Sequence, residues 1–341
     1  MRDNPPADLD IERPEQLLAY LRARGAIKRN EEPAMTTLGG GVSNRVVRVQ
    51  RNHGEAWVLK QALPKLRVSV DWFSSPERSH RETLALTWLN ELGVNVPGLQ
   101  FEDDEHHVVA MDAVPEPHEN WKVMLLAGRL EMSHVEAFAQ MLADMHRKSH
   151  ARLVEIDQTF GDTSFFESLR IEPYYLYTAE QVEPARQFLI NVADDTRANR
   201  LCLVHGDYSP KNVLVHNGKL VLLDHEVAHF GDPAFDLGFS TTHLLSKAHH
   251  LKEHRARFRE AALLYWDAYW MRLGKQTWTE GLEDRAVRSI LACLLARVAG
   301  RSPLEYLTQA DKDRQRAVTL ELMTRPPSEV PALVNAFIDS L

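Results

Sequence analysis

A net charge of −8 is spread over 341 residues whose acidic and basic side chains are interspersed, so no basic stripe offers a surface to nucleic acid or anionic lipid. The chain is longer than a single core usually supports, and its 44% apolar content suits a globular fold of two lobes. Two cysteines, Cys202 and Cys293, are too few for a disulfide framework and lack metal-ligand spacing, which leaves them as small buried hydrophobes.

The polar opening MRDNPPADLDIERPEQ has no apolar signal core, and no later run reaches bilayer length. A soluble, cytoplasmic protein with a small-molecule partner is expected, without nucleic acid or membrane and with a homodimer admitted. Residues 14 to 24 place Leu17, Leu18 and Leu21 on one helical face between Pro14 and Gly25. From Thr37 to Leu63, short β-rich runs around an Asn-His-Gly turn predict antiparallel strands. A helix is predicted around 76–92 and a strand over 107–114, after which Pro115 and Pro117 punctuate the chain. These elements divide the sequence into a helical extension (1–36), a small β-rich N-lobe (37–114) and a larger, mainly helical C-lobe (115–341), an α+β architecture.

In the C-lobe, Ser133 and Glu136 read as a capping box before an apolar face with Phe138, Leu142 and Met145. Asn217 and Gly218 between VLV and LVLL predict a type I′ hairpin, since both tolerate positive φ. Asp232 and Pro233 read as the cap and first turn of a helix, and amphipathic segments near 252–273, 283–299 and 311–323 close the chain.

The segment LVHGDYSPKNVLVHNGKLVLLDHEVAHFGDPAFDLGFS (203–240) carries Asp207, Asn212, Asp224 and Glu226 on two loops joined by that hairpin. Phosphoryl transfer needs little covalent help and is served by oxygen ligands that hold a metal nucleotide in line with a hydroxyl. Asp207 is the candidate for orienting the acceptor hydroxyl, Asn212 and Asp224 for metal positions, and Glu226 for a further carboxylate on the metal. Lys211, in the same loop, is a candidate for neutralising charge on the transferring group. Upstream, Gly39, Gly40 and Gly41 lie between β-type runs, where backbone N–H groups can approach phosphates without Cβ obstruction. Lys60 on the following strand is placed to reach those phosphates, and Glu82 on the next helix to pair with it. His205 and Asp236 read as loop braces, the pairs His106-His107 and His249-His250 as surface, and Tyr174, Tyr175 and Tyr177 as packing.

HGDYSPKN, LLDHE and GDPAFDL together resemble the aminoglycoside phosphotransferase and choline kinase superfamily. That resemblance implies a protein-kinase-like two-lobed fold, with ATP and Mg²⁺ as cofactors. It implies that Asp207 is the catalytic aspartate, that Met111, Asp112 and Ala113 form the interlobe hinge beside adenine, and that Asp236 holds the catalytic loop. Within the superfamily, KQALPKLRV, Trp72, RETLAL and HEVAHFGDPAFDLGF are most similar to methylthioribose kinases. The chain departs from that family in carrying Asn212 and in offering only Arg297 where paired arginines meet the sugar. With Asn44 where a third glycine might stand, the phosphate grip falls to the side chains of Ser43 or Asn44. The expected activity is ATP- and Mg²⁺-dependent phosphorylation of a hydroxyl on a small metabolite such as a methylthioribose-like sugar. An aminoglycoside kinase, a protein kinase and a silent nucleotide-binding regulator stand as the alternatives.

Overall fold

The computed structural model describes residues 9–39, 41–67 and 71–341. Helix α1 (Pro14–Ala23) has Pro14 in its first turn and stops ahead of Gly25, whose φ of 74° is the left-handed conformation that glycine adopts without strain. Its buried residues are Leu17, Tyr20 and Leu21, with Leu18 at the margin of the stripe. Strands β1 (Ala34–Thr37), β2 (Asn44–Gln50), β3 (Ala56–Ala62), β4 (Leu99–Asp103) and β5 (Val108–Asp112) form one antiparallel sheet ordered β1-β2-β3-β5-β4. The first strand begins at Ala34, ahead of the predicted Thr37, and β4 was not predicted.

Alternation along the strands sorts this sheet into two faces. Val47, Val49, Trp57, Leu59, Val108 and Ala110 cluster with Leu17, Tyr20 and Leu21 of α1. Val58, Val109 and Met111 cluster instead with Leu86 of α2 (Arg78–Glu91). Lys60 is two residues past Val58, so it shares the α2 face, where Glu82 lies one turn before Leu86. The β2–β3 register pairs Val46 with Lys60, and a slip of one residue would turn that lysine toward α1.

The chain then runs through β6 (His118–Asn120), α3 (Trp121–Leu126) and α4 (Met132–His150). The predicted capping box is not formed: Glu131 occupies the N-cap, without a side-chain cap bond, and Ser133 is already inside the helix. A residue with helical backbone cannot turn its hydroxyl onto the N–H groups ahead of it, which is what a cap requires. The predicted face holds, with Phe138, Leu142 and Met145 buried. Next come α5 (Leu153–Phe160), α6 (Ser164–Phe166), a π-helical stretch over Glu167–Leu176, α7 (Tyr177–Gln181), α8 (Arg186–Ala198) and β7 (Cys202–Val204).

β8 (Val213–His216) and β9 (Lys219–Leu222) form the predicted hairpin, with Asn217 and Gly218 at φ 50° and 72°. β6 joins β8 to make a three-stranded sheet, and β10 (His229–Gly231) pairs with β7. Helix α9 (Pro233–His250) starts as predicted: the Asp232 carboxylate accepts from Ala234 N at 3.0 Å. Every residue of α9 except His250 is buried, as suits a helix enclosed on all sides. Packed against it are α10 (Arg255–Leu273), α11 (Leu282–Ala299), α12 (Gln309–Thr324) and α13 (Val330–Asp339), the last of which was not predicted. Gly238 permits the close approach of α11, because a Cβ there would stand 2.2 Å from Ser289 Oγ.

Both cysteines are free and buried. Among the described residues, no helix is long and apolar enough to cross a membrane. The surface placement of the histidine pairs needs correction at two positions. His249 is 3% exposed with Nδ1 3.5 Å from Gln315 Oε1, and His106 sits edge-on to Tyr20 with Nδ1 3.3 Å from Asp103 Oδ2. Each imidazole is admitted because a neighbouring element covers it and supplies a polar partner.

Candidate active site

Two loops flanking the β8–β9 hairpin bring the acidic groups together. Asp236, in the first turn of α9 and fully buried, accepts from His205 N at 2.7 Å and Gly206 N at 2.9 Å, so it anchors the first loop. Gly206 has φ 76°, and a Cβ there would meet Val227 O at 2.9 Å. His205 ties the loops to each other: its Nδ1 accepts from Asp207 N at 3.2 Å and its Nε2 faces Leu223 O at 3.2 Å. This pattern requires the neutral ring with its proton on Nε2, and burial holds the imidazole pKa below its ordinary value.

Asp207 is 2% exposed. Its Oδ2 meets Arg170 Nη2 at 3.0 Å, Lys211 Nζ at 2.9 Å and Asn212 Nδ2 at 2.8 Å. Burial favours the neutral acid, but Arg170 and Lys211 outweigh it and hold the carboxyl below the usual range. Arg170 lies on the π-helical stretch, a kind of segment frequent at functional sites, and its Nε also donates to Gly206 O at 2.5 Å.

Across the cleft, Lys60 Nζ stands 2.8 Å from Glu82 Oε1 and 2.6 Å from Asp224 Oδ1. Burial opposes its charge, yet Asp224, Glu82 and Glu226 together hold the ammonium above its ordinary pKa. Burial likewise works against the Asp224 carboxylate, which Lys60 and Lys211 nevertheless depress, whereas Glu82 is pushed up to about 7 by burial with Lys60 opposing. Asp224 has φ 68°, an uncommon conformation for a residue with a side chain and one that concentrates at functional turns.

Glu226 Oε2 accepts from Asn44 Nδ2 at 2.8 Å and Arg78 Nε at 3.1 Å. The buried Arg78 guanidinium also donates to the carbonyls of Ser43, Leu63, Ser74 and Ser75, clamping the end of the glycine loop to α2 and the Asp224 loop. Ser43 and Asn44 are thereby engaged with Arg78 and Glu226. Gly39 and Gly41 lie in the exposed β1–β2 connection, and Gly40 falls outside the described residues. At the other end of the cleft, Met111 is buried, while Asp112 N donates to Gly98 O at 2.8 Å and Ala113 N to Ala56 O at 2.9 Å. A cavity of about 1030 Å³ beside them is lined by Arg48, Gln50, Ala56, Val96, Asp112 and Ala113, among others, but not by Lys60, Asp207 or Asp224. Arg297 does not touch Asp207; its Nη1 donates to Tyr174 Oη at 3.0 Å and Ser302 Oγ at 3.1 Å.

Carboxylate oxygens of Glu82, Asp224 and Glu226 lie within 4.8 Å of one another. Two cations, Lys60 and Arg78, face these three carboxylates in a largely buried cluster. Asn212 turns its amide nitrogen to Asp207, so its oxygen is the atom left for a cation. Hard oxygen donors of this kind fit a divalent ion, with Glu226 already committing Oε2 to protein donors. Sequence reasoning missed Arg78 and Arg170. Arg78 stands four residues before Glu82, a same-face spacing legible in RSHRE, whereas Arg170 has no motif around it.

A five-stranded sheet above a helical lobe, with a lysine–glutamate pair facing an acidic loop, is a protein-kinase-like architecture. Residues 34–278 match the APH phosphotransferase enzyme family, and the chain belongs to that family. It is 24% identical over 259 residues to a methylthioribose kinase of Pectobacterium carotovorum, covering 66% of this chain and 63% of that relative. A methylthioribose kinase of Pectobacterium atrosepticum matches at 24% over 256 residues, again covering 66% and 63%. The chain therefore aligns with less than two thirds of those relatives' length. Among solved structures, amicoumacin kinase hAmiN in complex with AMP-PNP, Ca²⁺ and Ami aligns with a TM-score of 0.55 at 12% identity, covering 86% of this chain and 89% of that one. A choline/ethanolamine kinase family protein from Mesorhizobium loti aligns at 0.54 and 14%, covering 95% and 98%. Both have the kinase-like fold.

Proposed function

We propose that this chain moves the terminal phosphoryl group of ATP, with Mg²⁺, onto a hydroxyl of a small polyhydroxylated metabolite. The observation that carries the reading is Lys60 held between Glu82 and Asp224 opposite an Asp207 carboxylate kept anionic. In this reading Glu82 fixes the lysine rotamer while the outer phosphates take the place of Asp224 as the second partner of the ammonium. A divalent cation held by Asn212, Asp224 and Glu226 would supply charge neutralisation on those phosphates. Asp207, with Oδ2 already bound, offers its other oxygen to the acceptor hydroxyl, orients it in line and takes its proton as the new O–P bond forms and the bond from that phosphorus to the departing ADP oxygen breaks. Lys211, 2.9 Å from Asp207, offsets charge on the transferring group. Met111, Asp112 and Ala113 border the adenine end, and the glycine loop covers the phosphates.

The names of the curated relatives make methylthioribose the first acceptor to test. The measurement is Mg²⁺-dependent ADP release over methylthioribose, ribose, choline and kanamycin, with Asp207→Asn alongside. Acceptor-dependent release lost in Asp207→Asn is the expected result. A chain that binds Mg-ATP but releases ADP with no acceptor would end this reading in favour of a silent nucleotide-binding regulator, and one that does not bind Mg-ATP would end both.

A further inference from the structure

We infer that the acceptor carries an anionic group, a carboxylate or a phosphate ester, that seats against Lys247 and Arg297 in the helical lobe. The inference rests on the phosphotransferase reading and specifies the substrate class of the same site.

A chain of packed side chains links that cluster to the Asp207 loop. The Arg170 guanidinium, 3.0 Å from Asp207, lies 5.8 Å from the ring centres of both Tyr174 and Phe239. Tyr174 Oη accepts from Arg297, and Phe239 packs edge-on to His243 at 5.1 Å. Phe239, His243 and Lys247 recur at every fourth residue of α9, so they share one face of that helix. Lys247 is 0% exposed; its Nζ donates to His243 O at 3.3 Å and lies 5.6 Å from the Tyr306 ring centre.

This cluster is cationic and incompletely partnered. Lys122 is paired with Glu305, but among the described residues neither Lys247 nor Arg297 has a carboxylate within ion-pair distance. His243 Nε2, Ser246 Oγ, Arg297 Nε and Tyr306 Oη are buried with no hydrogen-bond partner among the described residues. Buried cations and orphaned polar groups are costly, and a site that binds a charged ligand is where they persist. An anion with two or three oxygens would complete them, whereas a cationic acceptor would meet like charge. Burial, with Lys122 and Arg297 adding to it and Glu305 opposing, pushes Lys247 down to about 7, and an anion in contact would restore its full charge.

The test uses the full chain with Mg²⁺ and AMP-PNP for calorimetry, and with Mg-ATP for ADP release. The probes are gluconate and glycerate as carboxylates, ribose 5-phosphate as a phosphate ester, methylthioribose as neutral and choline as cationic. A carboxylate or the phosphate ester should be preferred, and which one wins identifies the group. Lys247→Met should weaken that probe roughly tenfold to a hundredfold, with Arg297→Lys losing less, while the melting temperature stays level or rises. A lysine kept for structure alone would do the reverse, lowering the melting temperature with anion affinity unchanged, and would overturn the inference. Preference for methylthioribose or choline, or no anionic probe binding at millimolar concentration, would overturn it too. Either of those outcomes with Mg-ATP still bound leaves the phosphotransferase reading standing.

Discussion

Arg170 on the π-helical stretch and Asp207 on the loop after β7 meet as a buried ion pair with Nη2 and Oδ2 3.0 Å apart. The pair gives the candidate base its charge, since the other cation, Lys211, is 47% exposed at its side chain. Removing one partner of such a pair leaves the other charge uncompensated, so Arg170→Met should cost about 3–5 kcal/mol in urea unfolding near neutral pH. The sign with pH follows from the depressed Asp207 pKa: its stabilisation is present above the unfolded pKa and is lost as pH falls through the folded one. In Arg170→Met the folded pKa rises, and the acid limb of kcat should move to higher pH. Arg170→Lys should restore part of both effects, and an unmoved acid limb would exclude Arg170 from tuning Asp207.

Asp207 and Lys60 should separate in steady-state kinetics. Asp207→Asn removes the acceptor of the hydroxyl proton without touching the lysine cluster, so kcat should fall by roughly 10²–10⁴ with little change in KM for ATP. Lys60→Ala should raise KM for ATP and also lower stability, because Glu82 and Asp224 lose their shared cation. Equal effects of the two variants on both constants would count against the assigned roles.

Lys247 should leave a signature in stability as a function of pH. Its amine, surrounded by His243, Tyr306, Lys122, Arg297 and Glu305, is depressed from 10.5 to about 7 in the folded chain. Between those values the unfolded chain binds more protons, so unfolding free energy should climb with pH across that window and be lowest below about 7. Lys247→Met should remove the slope and raise stability by roughly 2–5 kcal/mol at pH 7, with the gain fading toward pH 10. Parallel urea titrations at pH 7 and 9 check this, and a variant less stable than wild type at pH 7 contradicts it.

Gly238→Ala should strain the α9–α11 contact, where the added methyl would stand 2.2 Å from Ser289 Oγ. Overpacking of this kind costs about 1–3 kcal/mol, and the paired change Gly238→Ala with Ser289→Gly should recover only part of it, because the backbone carbon of residue 289 would still stand 2.8 Å from the added methyl. Recovery would be read in the urea midpoint.

Local chemistry wrote much of this protein into its sequence. The α1 stripe, the Asn217-Gly218 hairpin and the Asp232 cap depend on neighbours a few residues apart, and each forms as read. The order of Lys60, Glu82, Asp207 and Asp224 was legible from their succession along the chain and from the resemblance carried by HGDYSPKN, LLDHE and GDPAFDL. Contacts between distant segments were not legible. The carboxylate of Glu226 is held by Arg78 and Asn44, Asp207 by Arg170, and Lys247 lies sealed in a helix that the sequence shows only as amphipathic, because burial and charge pairing depend on which elements pack together in space. Sequence alone therefore determined the two acidic loops and their spacing, while tertiary packing decided which cations hold them and left Lys247 and Arg297 buried without a carboxylate partner among the described residues.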